Sequence, residues 1–211
     1  MHIVSTVQGK GGVGKSTLAV NLARALQLRG LDVCIIDTDP QGTAQNWKAS
    51  GNPDALPAVY AVERPRSLKS DVSKLSRAFD LAVIDGGAHL QEMHAAIIKT
   101  SDLVLIPIQP SPADIWPTES VVEMVHARQM VADTPKAAFV VSRRKTGTRL
   151  GRAVEDTLSN FDLPVWEGTC DRVAYAEAMG KGISVVESRD EKAASEINTL
   201  TDHVITALTN E

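Results

Sequence analysis

The chain has only two cysteines, Cys34 and Cys170, in 211 residues. So few, so far apart, do not form a disulfide framework, and Cys34 sits inside the apolar run Val33-Cys34-Ile35-Ile36, where a buried reduced thiol is expected. Aromatic residues make up 4% of the chain, which argues against a ring-stacking platform. No apolar run reaches the roughly 20 residues of a membrane-spanning helix. The first residues, Met1-His2-Ile3-Val4, enter a strand-like pattern directly, without the basic and then apolar segments of a secretory leader. The five histidines lack HExxH or Cys/His spacing, and His89 and His94, five apart, separate around a helix. No protein-only metal cage is expected, and the cytoplasm is the expected compartment.

Long linkers are missing too. The most loop-like stretch, residues 50–58, is too short to separate domains, so a single domain over residues 1–211 is expected. At 43% hydrophobic and 23% charged, the composition is that of a soluble globular chain. A chain of this length buries roughly 70% of its unfolded surface without staples.

Five runs, residues 2–7, 31–36, 81–84, 103–108 and 137–141, read as strands. The last four are apolar on both faces, as in parallel strands covered by helices. Helical periodicity recurs over residues 16–30, 67–78, 91–100, 118–131, 149–160, 171–180 and 190–208. The alternation implies an α/β fold of three layers, a mostly parallel central sheet with helices on both faces.

Gly9-Lys10-Gly11-Gly12-Val13-Gly14-Lys15-Ser16 satisfies GxxxxGK[ST], between a strand and a helix. Glycines let backbone amides close on phosphate oxygens, Lys15 reaches the β and γ phosphates, and the Ser16 hydroxyl ligates Mg²⁺. Thr17 completes the nucleotide-binding set with Gly11, Gly12, Val13 and Gly14. Such a loop needs acids at the ends of neighbouring strands. Asp37-Thr38-Asp39-Pro40-Gln41 follows one predicted strand, and Asp85-Gly86-Gly87 follows another.

Lys10-Gly11-Gly12-Val13-Gly14-Lys15-Ser16 together with Asp37-Thr38-Asp39-Pro40-Gln41 resembles the ParA/MinD family of deviant Walker ATPases, in particular its small ParA branch without an N-terminal DNA-reading domain. The residues from Leu81 to Gly86, Pro107 to Pro112 and Val173 to Ala178 follow in the family's order. The resemblance implies a P-loop NTPase fold, ATP and Mg²⁺ as cofactors, and a slow, partner-stimulated ATPase. It implies that Lys10 reaches across an ATP-bound homodimer to the partner's nucleotide while Lys15 serves its own, supplying the cation that other P-loop enzymes take from an arginine finger. Asp39 then orients the attacking water, Asp37 sits beside the magnesium shell with Ser16, and Asp85 is the Walker B acid. The Pro107 to Pro112 segment lines the dimer interface near the nucleotide, and Ser142, Arg143, Cys170, Asp171 and Arg172 stand at strand ends facing the base. Ser16 replaces the commoner threonine and keeps the hydroxyl.

The net charge of -4 alone disfavours a nucleic-acid partner. Yet residues 136–152 contain Lys136, Arg143, Arg144, Lys145, Arg149 and Arg152 and no acid, a local +6 that leaves -10 for the rest. Arg143, Arg144, Lys145, Arg149 and Arg152 are therefore the expected contacts to nonspecific DNA, doubled in a dimer. The expected cycle is a partition ATPase at the nucleoid, released by a ParB-like or other cargo adaptor. A plasmid, a chromosome and a protein assembly such as a microcompartment remain open as cargo. A MinD-like membrane-cycling ATPase is the alternative, but the amphipathic tail through Ile197, Leu200, Val204, Ile205 and Leu208 has no Lys or Arg after Lys192. An iron-sulfur carrier would need paired surface cysteines, which Cys34 and Cys170 do not supply.

Overall fold

The computed structural model describes residues 1–88, 91–145 and 157–210. Seven strands form one parallel sheet: β1 His2–Thr6, β2 Val33–Asp37, β3 Ala58–Ala61, β4 Leu81–Asp85, β5 Leu103–Ile108, β6 Lys136–Val141 and β7 Val165–Glu167. Their order is β3-β2-β4-β1-β5-β6-β7, and every pairing is parallel. The helices are α1 Lys15–Leu28, α2 Thr43–Ser50, α3 Pro65–Leu75, α4 Gln91–Thr100, α5 Pro112–Gln129, α6 Val173–Lys181 and α7 Glu191–Thr209.

Side chains alternate across a strand, so each central strand feeds two cores. Val4, Ile35, Val83, Leu105 and Val140 face one layer with Leu18 and Leu22 of α1, Trp47 of α2, Tyr175 of α6 and Ile197 and Leu200 of α7. Ile36, Ile84, Val104, Ile106 and Phe139 face the other, against Leu68 of α3, Met93 and Ile97 of α4 and Val121 and Val125 of α5. The expected three-layer architecture is therefore the observed one. Cys34 is free and fully buried, and burial pushes its thiol up to about 12.

Two strands and one helix were not foreseen. β3 and β7 are short edge strands, half exposed, and lack the continuous apolar pattern of the central ones. Only Ala44 and Trp47 are buried on α2, too few to mark a helical period. Helix α5 starts at Pro112, six residues before the expected start, because proline is well tolerated in the first helical turn. The helix expected over residues 149–160 lies mostly outside the described residues. Among the described residues no helix is long and apolar enough to cross a membrane.

Helix α1 is locked to the connection between α6 and α7. The buried Asn21 amide donates to Thr17 O and its Oδ1 accepts from Ser184 Oγ and Val185 N, each at 2.8 Å. Arg24 adds an ion pair to Glu187 at 2.6 Å. The helix behind the P-loop is thus fixed along its length.

Candidate nucleotide site

The chain leaves β1 at Thr6 and reaches α1 through a loop that needs left-handed backbone at Gly12 (φ 76°) and Gly14 (φ 98°). Residues with a Cβ rarely adopt that conformation, which explains the glycines. The first helical bond runs from Leu18 N to Gly14 O at 2.9 Å. The amides of Lys15, Ser16 and Thr17 precede it and have no intrahelical acceptor, so the helix start offers donors and a positive dipole end to an anion. Lys15 is 7% exposed and its Nζ donates to Lys10 O at 3.0 Å. Burial lowers its pKa, while Asp85 and Asp39 hold the cation against that loss.

Asp85 ends β4 in register with Thr6 of β1 and Asp37 of β2. It is fully buried, yet neither carboxylate oxygen has a hydrogen-bond partner among the described residues. Burial pushes its carboxyl up to about 7; the Ser16 hydroxyl lies near enough to favour the anion without meeting hydrogen-bond geometry. A buried carboxylate without donors is costly, and a cation removes the cost. The set of Asp85, Ser16, Lys15 and three unpaired amides fits a magnesium-bound nucleotide phosphate.

The two acids after β2 are held differently. Asp37 is 1% exposed, and its oxygens accept from Asp39 N at 3.0 Å and Ala44 N at 3.1 Å. It thereby caps α2, which has no side-chain cap of its own. Burial raises its carboxyl despite those bonds. Each oxygen retains a further lone pair, so capping is compatible with the outer magnesium shell. Asp39 is half-buried, with Oδ1 accepting from Gln41 N at 2.9 Å.

The loop after β4 is tied to both neighbours. Thr38 donates through Oγ1 to Asp85 O at 2.8 Å and accepts from Gly87 N at 3.3 Å. Gly86 N bonds Thr6 O at 3.0 Å, and a Cβ at Gly86 would fall on that same carbonyl oxygen. A Cβ at Gly87 would stand 3.3 Å from Asp39 Cα. Gly87 O in turn accepts from Nε2 of the buried His94, on α4, at 2.8 Å. In sequence His94 bears only on metal ligation; its role as a tether depends on a fold contact that no motif announces.

On the other side, Gln8 fixes the start of the loop. It is fully buried, bonding Thr118 Oγ1 at 2.9 Å and accepting from Gly9 N at 2.8 Å. Gln109, from the proline-rich segment, donates to Gly12 O at 2.9 Å. Arg143 reaches the same carbonyl at 3.5 Å, so it lies at the edge of the P-loop. Arg172 is engaged elsewhere: it pairs with Glu196 at 2.8 Å, and Cys170 N and Tyr175 OH also donate to that carboxylate. Nothing in the sequence marked Glu196. The described part of the basic stretch is partly compensated, with Arg143 3.5 Å from Asp171 and Arg144 3.1 Å from Glu167. Lys145 is exposed, and Arg149 and Arg152 lie outside the described residues.

Residues 4–185 match the CbiA family, described as the CobQ/CobB/MinD/ParA nucleotide binding domain. The maintenance of carboxysome distribution protein A of Halothiobacillus neapolitanus is 30% identical over 93% of both chains. The protein of that name from Gloeobacter kilaueensis is 33% identical over 91% of this chain and 87% of its own. In fold, an ATP complex of Cyanothece McdA superposes with a TM-score of 0.79 at 18% identity, covering 100% of this chain and 97% of that one. MinD of Aquifex aeolicus gives 0.79 at 18% identity, over 97% of each. With its P-loop, strand-end acids and sheet order in place, the chain belongs to the ParA/MinD family of nucleotide-binding domains.

Proposed function

We propose that this chain is a Mg·ATP-dependent positioning ATPase, a single domain that closes as an ATP homodimer and binds nonspecific DNA. A cargo adaptor stimulates hydrolysis and release. The observation that carries the reading is the buried, unpartnered Asp85 carboxylate beside Ser16 and Lys15, in a loop holding a second lysine, Lys10. Bound magnesium nucleotide supplies the electrophilic phosphorus and neutralises charge across its oxygens. Lys15 and the amides of α1's first turn orient the phosphates, Asp85 and Ser16 hold the metal side, and Asp39 positions water. Lys10 extends to the partner's site, so hydrolysis is confined to the closed pair.

The two carboxysome-distribution relatives, similar over nearly their full length, favour a protein assembly as cargo over a plasmid. The membrane-cycling reading is not favoured, because the apolar face of α7 is spent in the core through Ala193, Ile197, Leu200 and Val204. DNA retention with ATP against ADP tests the reading, aided by Asp39→Ala. That variant should bind ATP normally and accumulate on DNA, since only the water-positioning group is lost. Equal DNA retention in both nucleotides, or hydrolysis by Asp39→Ala at the unsubstituted rate, contradicts it.

A further inference from the structure

A second concentration of positive charge lies outside the basic stretch of residues 143–152. Residues 64–77, on and around α3, contain Arg64, Arg66, Lys69, Lys74 and Arg77 against one acid, Asp71, a net +4 in a chain of net -4. Leu68 and Val72 anchor the helix in the core, at 0% and 4% exposure. Helical spacing then turns Arg66, Lys69, Ser70, Ser73 and Lys74 to one side, Arg77 follows in the turn after the helix, and all six are exposed. Among the described residues only Lys74 of these cations forms an ion pair, to Asp71 at 2.7 Å.

Two features separate this face from an ordinary solvated one. Arg64 is the residue before the helix and Arg66 lies in its first turn, where the dipole disfavours cations; the first turn holds no acid, and Glu63 alone stands beside them in sequence. Charges kept against the local dipole are expected where a surface has a use for them. The outward residues between the cations are serines, whereas a lipid-facing helix needs a free apolar face, and the apolar face of α3 is consumed by the core. Flexible cations interleaved with hydroxyls suit backbone phosphates. From Arg66 to Lys74 the face runs about 12 Å, roughly three to four phosphates along one strand. α3 follows β3, and β3 stands five sheet positions from β6, about 24 Å from the 143–145 segment.

We propose that the outward face of α3, through Arg66, Lys69 and Lys74, together with Arg77 in the turn that follows, is a second contact to duplex DNA, gripping the phosphate backbone without reading sequence. The proposal rests on the DNA reading above. Its test is the salt dependence of binding to a labelled random-sequence duplex by the full chain with ATP. Each phosphate contact contributes a slope of about 0.9 in log K against log salt. The triple variant Arg66→Gln, Lys69→Gln, Arg77→Gln should flatten the slope by about 2 to 3 and weaken binding at least about tenfold at moderate salt. Its ATPase rate without DNA should be unchanged, and the charge-keeping set Arg66→Lys, Lys69→Arg, Arg77→Lys should restore the slope. An unaltered slope in the glutamine variant overturns the α3 contact while the DNA reading stands. Absence of ATP-dependent DNA binding by the unsubstituted chain overturns the DNA reading itself. Loss of binding to anionic phospholipid vesicles with the DNA slope intact overturns the proposal in favour of a lipid-facing surface.

Discussion

Asp85 concentrates the chemistry of the site in one side chain. Burial holds its carboxyl at about 7, against about 3.9 for an unfolded aspartate. Between those values the folded chain keeps a proton the unfolded chain has lost, so this contribution is complete at low pH and disappears as pH rises through 7. Nucleotide-free, chelator-treated protein should therefore lose stability from about pH 4 to pH 7, by at most about 4 kcal/mol from this group. Asp37, also raised by burial, acts in the same direction. Asp85→Asn should flatten the profile in urea melts; an unchanged slope would show that the carboxyl does not titrate there. His94 makes a second prediction at this scale. Its bond to Gly87 O holds the loop that packs on Asp39, and a neutral hydrogen bond is worth about 1 kcal/mol. His94→Ala should lower turnover roughly five-fold with nucleotide affinity unchanged, and His94→Gln, which keeps a donor, should recover part of it. A fall in affinity matching the fall in turnover would make His94 merely structural.

Among the elements, the P-loop and the three acids were legible because their spacing is local and their strands are apolar on both faces. Lys10 falls in the turn between β1 and α1, Lys15 and Ser16 open α1, Asp37 and Asp85 end their strands, and Asp39 follows β2 by two residues, as the motif spacing requires. What escaped reading depends on distant partners. Gln8 meets Thr118 across 110 residues, and Glu196 gathers Cys170, Arg172 and Tyr175 from 21 to 26 residues away. Edge strands β3 and β7 escaped because half-exposed strands carry no continuous apolar signal. The close approach of α2 and α6 was hidden for the same reason. A Cβ on Gly51 would fall on Gly182 O and stand 2.8 Å from Leu56 Cδ1, while Trp47 Nε1 bonds Ile183 O at 3.0 Å. Gly51→Ala should cost about 1 to 3 kcal/mol in urea denaturation, as overpacking does. A loss under half a kcal/mol would mean that the two backbones separate easily.

At the scale of the whole molecule, the distribution of charge bears on the proposed function. A chain with net charge -4 is not drawn to DNA as a monomer by its overall field, but the proposed dimer would double each basic segment on one particle. On the proposed function DNA affinity follows the nucleotide through dimerisation, which would make Lys10 the residue on which the cycle turns. Lys10 is half-buried in the P-loop, and its carbonyl receives Lys15 Nζ, so removing its side chain leaves that backbone contact available. Light scattering of the Lys10→Ala variant with saturating Mg·ATP is the most direct measurement. The expected result is nucleotide bound at near-normal affinity, a monomeric mass where the unsubstituted chain gives a dimer, and hydrolysis largely lost. A normal ATP dimer from the variant would contradict it.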